Sequence, residues 1–211
     1  MAQKPIIHPK KTNFMDIVER VKNILINPKQ EWEVIEKEDT PVSQLVVGYL
    51  LLLALIPAIA SFIGYWLVGY RVPFVGHVSG TFAFGLRQAI LAFASPVIAA
   101  FVAAFVIDLL APSFGSQKDF RRAMQLVTYS YTPALVAGVF MIIPSLGIIA
   151  TLAGLYGLYL LYVGLKPMMK TPDDKITTYF IVSLLVMIVA SIVIGVILSA
   201  IFIGRGMMMG Y

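Results

Sequence analysis

Asp108 has the widest chemistry open to it. It is the one acidic residue near the interior of a long apolar run, where a charge is costly without a partner. Tied to Lys118, Arg121, Lys166 or a tyrosine hydroxyl, it joins its helix to the following loop. Left accessible, it handles protons or a ligand. The next apolar run holds Tyr129, Ser130, Tyr131 and Pro133, adding hydroxyls and a backbone break. Pro57, Pro96 and Pro133 each free a backbone carbonyl, the device with which transporters build midplane sites, although packing kinks have the same signature. Other chemistries lack their residues. There is no Cys, and the two histidines, His8 and His77, are too few for a histidine metal site. No phosphate-binding glycine loop, His-Glu-x-x-His helix, nucleophile elbow or second buried carboxylate is present. Met207, Met208 and Met209 are adjacent on a tail and read as incidental. The expectation is therefore no catalytic residue, no metal and no cofactor.

The elements that must hold these residues are membrane helices. Apolar residues make up 59% of the 211 and charged ones 13%, with a mean hydropathy of +0.88. One soluble core cannot hide that much apolar surface, so lipid covers part of it. The apolar runs read as spans at about 45–69, 88–111, 126–143, 146–165 and 176–203, each close to or beyond the roughly 20 residues a crossing needs. The first run begins after a charged stretch too long for a signal peptide, so it reads as its own insertion signal. Beside the spans, Lys29, Lys37, Lys118, Arg121, Arg122, Lys166, Lys170 and Lys175 fall on one side, against Arg71, Arg87 and Arg205 on the other. That asymmetry predicts a cytosolic amino terminus and an outside carboxyl terminus; in a bacterium the membrane would be the inner one. The net charge of +5 belongs to this topology, and no nucleic-acid partner is implied. Asn27-Pro28, Thr40-Pro41 and Thr171-Pro172 pair a capping side chain with Pro at the first helical position. Ser116 to Asp119 and Thr171 to Asp174 have capping-box spacing.

Residues 1–44 form a separate cytosolic arm, and 45–211 the membrane domain. In the arm Phe14, Ile17, Val18, Val21 and Leu25 recur at helical spacing opposite Asp16, Glu19, Arg20, Lys22 and Asn23. A second short helix carries Trp32 and Ile35 on one face. Two placements fit: helices in the headgroup layer, with Phe14, Ile17, Val21 and Trp32 at the interface, or a cover over the ends of the spans. Within the bundle, Ser191, Gly195 and Ser199 mark a small-residue face for packing or a homo-oligomer, and Gly147, Thr151 and Gly154 a second, less regular one. Tyr156, Tyr159 and Tyr162 form a stripe, the first two deep enough to bond a neighbouring helix.

Several short motifs, taken in order, resemble the Yip family (Ypt-interacting proteins), in particular its short bacterial branch. Asp108-Leu109-Leu110-Ala111-Pro112 is similar to the family's Asp-Leu-x-Gly-Pro motif, with Ala111 in place of Gly. Tyr129-Ser130-Tyr131-Thr132-Pro133 resembles its Tyr-Ser-x-x-Pro motif. Gly157 to Leu165 and Lys170-Thr171-Pro172-Asp173-Asp174-Lys175 are similar to the bacterial signature, and Asn27-Pro28 with Trp32 to the amino-terminal pattern. The resemblance runs from Phe14 to about Ile203. It implies a five-helix membrane fold and marks Asp108, Leu109, Pro112, Tyr129, Ser130 and Pro133 as a candidate functional motif. Eukaryotic members are linked to vesicle traffic and Rab-type GTPases through the cytosolic side; the bacterial branch brings no biochemical activity with it.

The expectation is thus an all-α membrane protein of five transmembrane helices with a short amphipathic cytosolic arm. Its partners are the lipid bilayer and a protein at the cytosolic face. Two functions compete: a non-enzymatic organiser of membrane or partner proteins, and a small transporter, channel or lipid-translocating protein with a site near Asp108 and Tyr129. A polar, water-accessible cavity between helices separates them.

Overall fold

The computed structural model describes residues 14–208 except Pro73 and Val75; at 14, 15, 72, 191 and 194–208 it describes the backbone alone. Two short helices come first, α1 (Phe14–Ile26) and α2 (Pro28–Glu36). Pro28 opens α2 because its missing N–H costs nothing at a first helical position. Asn27 makes no side-chain cap bond there, so proline alone sets the start.

Four helices among the described residues are long and apolar enough to cross a membrane. They are α3 (Val42–Val68), α4 (Phe82–Phe114), α5 (Phe120–Ile142) and α6 (Pro144–Met169). A further helix, α7 (Ile176–Met208), is apolar over Ile176–Ala190, and the expected Ser191, Gly195 and Ser199 face lies outside the described side chains. Each of these helices is longer than the apolar run that announced it, most of all α4, which starts at Phe82 rather than near residue 88. The cap of α5 is Asp119, whose carboxylate accepts from the Arg122 N–H at 3.1 Å; Ser116, the expected cap, bonds Thr171. Thr171 likewise does not start α7, which begins at Ile176 after a turn.

Proline acts differently in each span. Pro57 lies inside α3, where its ring meets the bare backbone of Gly138 in α5; Pro96 lies within an unbroken stretch of α4. Pro133 divides α5, which pauses at Tyr131 and resumes at Thr132. Between α3 and α4 a hairpin forms, β1 (Tyr70–Val72) antiparallel to β2 (Gly76–Val78), with Arg71 opposite His77. Hydropathy reading leaves that segment as a loop.

α5 is the centre of the bundle and packs against α3, α4 and α6, while α7 closes against α4 and α6. Over the stretch that defines each span, α5 is 56% buried and α6 17%. The most polar span is thus the most enclosed, as lipid requires. α2 lies on α6 and α1 on the middle of α5, so the arm is packed against the bundle. Trp32, Ile24 and Ile35 are fully buried there.

Candidate functional site

Tyr129 is the hub of the arm contact. α5 presents its ring, buried, towards both α3 and the arm. Tyr49 of α3 meets it edge-on at 4.9 Å between centroids, and Trp32 of α2 edge-on at 6.3 Å. The Arg20 guanidinium of α1 sits 5.5 Å from the ring centre, within cation–π range. Arg20 also pairs with Glu31 and Glu38, so three segments of the arm converge on one cation. Burial works against that charge, but Tyr129, Glu38 and Glu31 outweigh it and raise the Arg20 pKa. The Tyr49 hydroxyl shares a 2.9 Å hydrogen bond with Thr132 Oγ1, fixing the ring that supports Tyr129. A cleft of about 930 Å³ opens between the arm and α3, walled by Arg20, Glu31, Glu38 and Gln44 and floored by Tyr49 and Tyr129.

Further contacts seat the arm on α5 and α6. A Cβ on Gly164 would come within 2.5 Å of Leu126 Cδ1 and 2.7 Å of Trp32 Cε2, so glycine leaves the room that Trp32 fills against α6. One heptad earlier, Gly157 leaves room for the Ser130 carbonyl, 2.6 Å from where its Cβ would stand. The expected packing face at Gly147 and Gly154 is open instead, with nothing within 4 Å. Tyr156 donates to the Leu25 carbonyl at 2.9 Å, and Tyr159 stacks on Tyr156. Arg122 donates to the carbonyls of Glu38 at 3.2 Å and Ile35 at 3.4 Å, and Arg121–Asp39 and Lys170–Glu36 are ion pairs. The Lys170–Lys175 turn is held by Ser116 donating to Thr171 Oγ1, and by Thr171 in turn donating to the Leu165 carbonyl.

The motifs that carried the family resemblance are therefore the residues that build this end of the bundle. The Yip1 domain model matches residues 22–205. The chain belongs to the Yip1 domain family. Within that Yip1 domain fall Trp32, Asp108, Tyr129, Gly157 and the Lys170–Lys175 turn alike. The chain is also similar to the inner membrane protein YohC of Escherichia coli strain K12 and to its counterpart in strain CFT073. Each is 25% identical over 152 residues, covering 71% of this chain and 78% of the relative. No solved structure matches.

Within the Yip1 domain the six candidate motif residues divide between two surroundings. Tyr129, Ser130 and Pro133 are buried in α5, with Tyr129 at the arm. Asp108 lies on α4 beside Tyr179 of α7, while Leu109 and Pro112 are exposed. The expected tie from Asp108 to the loop before α5 is not formed at Oδ1, which is buried without a hydrogen-bond partner. α7 occupies that space: Tyr179 donates to the Ile107 carbonyl and stacks on Phe114 at 5.0 Å. Sequence reading missed Arg20, Gln125 and Thr128. Gln125 and Thr128 are fully buried with side chains that have no partner, as is the Ser130 hydroxyl. Gln125 falls one residue before the apolar run and Thr128 stands within it, a polar pair on a span read by hydropathy alone. Among the described residues no three His, Cys, Asp or Glu side chains converge as a metal site.

Trp32 is fully buried in the protein, its ring close to Gly164 of α6 and edge-on to Tyr129 of α5. Ile17 is buried and Val21 half-buried on the same side; the Phe14 side chain lies outside the described residues.

Proposed function

We propose that this Yip1-family protein is a non-enzymatic, five-span protein of the bacterial inner membrane, amino terminus in the cytosol, that organises membrane or partner proteins. The working surface is the arm end: residues 1–44 and the motif turns beneath them. One observation carries the reading. Arg20 and Trp32 of the arm converge on Tyr129 of the Tyr-Ser-x-x-Pro motif, so the motif's aromatic side chain positions an outward surface. The inner-membrane assignment is supported by the similarity to the protein named for that location. The orientation rests on the distribution of Lys and Arg beside the spans.

A second reading, translocation of a small molecule or lipid, is favoured by the polar cleft that descends to Tyr49 and Tyr129. Purified protein in liposomes separates the two. The organiser changes vesicle shape or clusters with added membrane proteins and passes no solute or lipid. Flux that is lost in Tyr129→Ala, while the protein still folds, would replace it with the transport reading.

A further inference from the structure

The break between α1 and α2 lies at an unexpected depth. Its Leu25 carbonyl is bonded to the hydroxyl of Tyr156, thirteen residues in from Met169, or about 20 Å along the helix axis. Helical side chains lean towards the amino terminus of their helix, which carries the Tyr156 hydroxyl further from the Met169 end. The polar boundary is marked by Tyr162, whose hydroxyl meets Thr177 Oγ1 at 3.2 Å, two residues from Lys175. Tyr156 is six residues below it, about 9 Å. One leaflet's hydrocarbon is about 15 Å thick, so the turn of the arm reaches past its middle.

The backbone at the turn is built for that depth. Pro28 has no N–H to leave unsatisfied, and the Asn27 N–H reaches the Asn23 carbonyl at 2.8 Å. The Glu31 N–H reaches the Asn27 carbonyl at 3.1 Å, and the Leu25 carbonyl accepts a hydrogen bond from the Tyr156 hydroxyl. A broken helix is tolerated in hydrocarbon only where neighbours re-satisfy such groups. On the outward side Val18, Ile26 and Val34 are 52%, 63% and 49% exposed. Glu19, Asn27, Gln30 and Glu33 are exposed on the same hairpin. The exposed Lys22 and Lys29 flank the turn, with stems long enough to bring their ammonium groups to the headgroups.

We infer that α1 and α2 form a re-entrant hairpin embedded in the leaflet on the arm's side, and that the outward face of its turn contacts lipid acyl chains. It deepens the proposal that the arm end is the working surface, by naming acyl chains as what that face takes. Two helices present in one leaflet and absent from the other enlarge that leaflet's area, which favours a curved bilayer.

The chain has no Cys, so single thiols can be placed without background. Full-length Ile26→Cys carrying an environment-sensitive fluorophore is reconstituted in phosphatidylethanolamine–phosphatidylglycerol vesicles. A spin label is placed either mid-chain or on the headgroup of the lipid. Mid-chain label should quench Ile26→Cys severalfold more than headgroup label, and Lys37→Cys should show the reverse order. Val34→Cys serves as the second position if labelling at residue 26 disturbs folding. Quenching at residues 26 and 34 by the headgroup label alone, or by neither, overturns the inference; a protein bound over that face would give the latter. Mid-chain quenching in vesicles that neither deform nor cluster leaves the hairpin standing and removes the organising function instead.

Discussion

The two ends of the bundle are held by different forces. At the far end, aromatic rings from α3, the hairpin and α4 pack on one another: Trp66 edge-on to Phe82 at 5.1 Å, Tyr70 stacked on Phe84 at 5.1 Å and Phe62 tilted against Trp66 at 5.0 Å. Such rings sit well at a membrane interface and tolerate exchange, because ring area and amphipathic character carry the contact. At the arm end the contacts are directional. Arg20 needs Glu31, Glu38 and the face of Tyr129; Trp32 needs the missing side chain at Gly164; the Leu25 carbonyl needs one hydroxyl. Glycine fits occur at both ends, Gly85 against Trp66 and Gly164 against Trp32, so what makes the arm end the fitted joint is its added ion pairs and cation–π contact. The fitted joint also covers the span least able to face lipid.

The sharpest way to break that contrast is to truncate one Trp at each end. Trp32→Ala should cost about 3–5 kcal/mol, the range for a fully buried large aromatic, and make the arm protease-sensitive. Trp66→Ala, at a half-exposed position, should cost less and leave the arm protected. Thermal melting in detergent and limited proteolysis read both. Next, Arg20→Gln strands two carboxylates, and stability should fall by about 3 kcal/mol, the low end for a buried pair because Arg20 keeps some solvent contact. Tyr156→Phe removes one hydroxyl and leaves a carbonyl unpaired, a loss of about 1–2 kcal/mol with faster amide exchange near Leu25. Lys170→Gln breaks a solvent-screened pair and should shift melting by less than about 1 kcal/mol, an effect erased by high salt.

Hydropathy made the spans legible, and it failed where a span is polar for a reason. α5 was read from Leu126, yet the helix starts at Phe120, because Arg121, Arg122 and Gln125 look like loop until the arm is known to cover them. Trp32 posed the opposite problem. Its spacing announced a buried face, but whether lipid or protein buries it depends on Gly164, 132 positions away in sequence (164 − 32). Gly157 and Gly164 cannot be told from Gly147 and Gly154 by spacing, since all four are small residues on one apolar helix; only the neighbours decide. Asp108 drew attention as a lone carboxylate, and its setting beside Tyr179 of α7 depends on a helix pairing that spacing does not encode. The hairpin at Tyr70–Val78 was missed because two three-residue strands carry too little alternation to register.

The arm is docked on α5 and α6. Cysteines in place of Glu36 and Lys170, whose side chains pair across that joint, test it directly in intact membranes with a short bifunctional maleimide. Docking predicts one intramolecular cross-link per chain, formed in preference to separate adducts. Two independent adducts, forming as fast as in the denatured chain, would mean that the arm is free and that Tyr129 organises nothing above it.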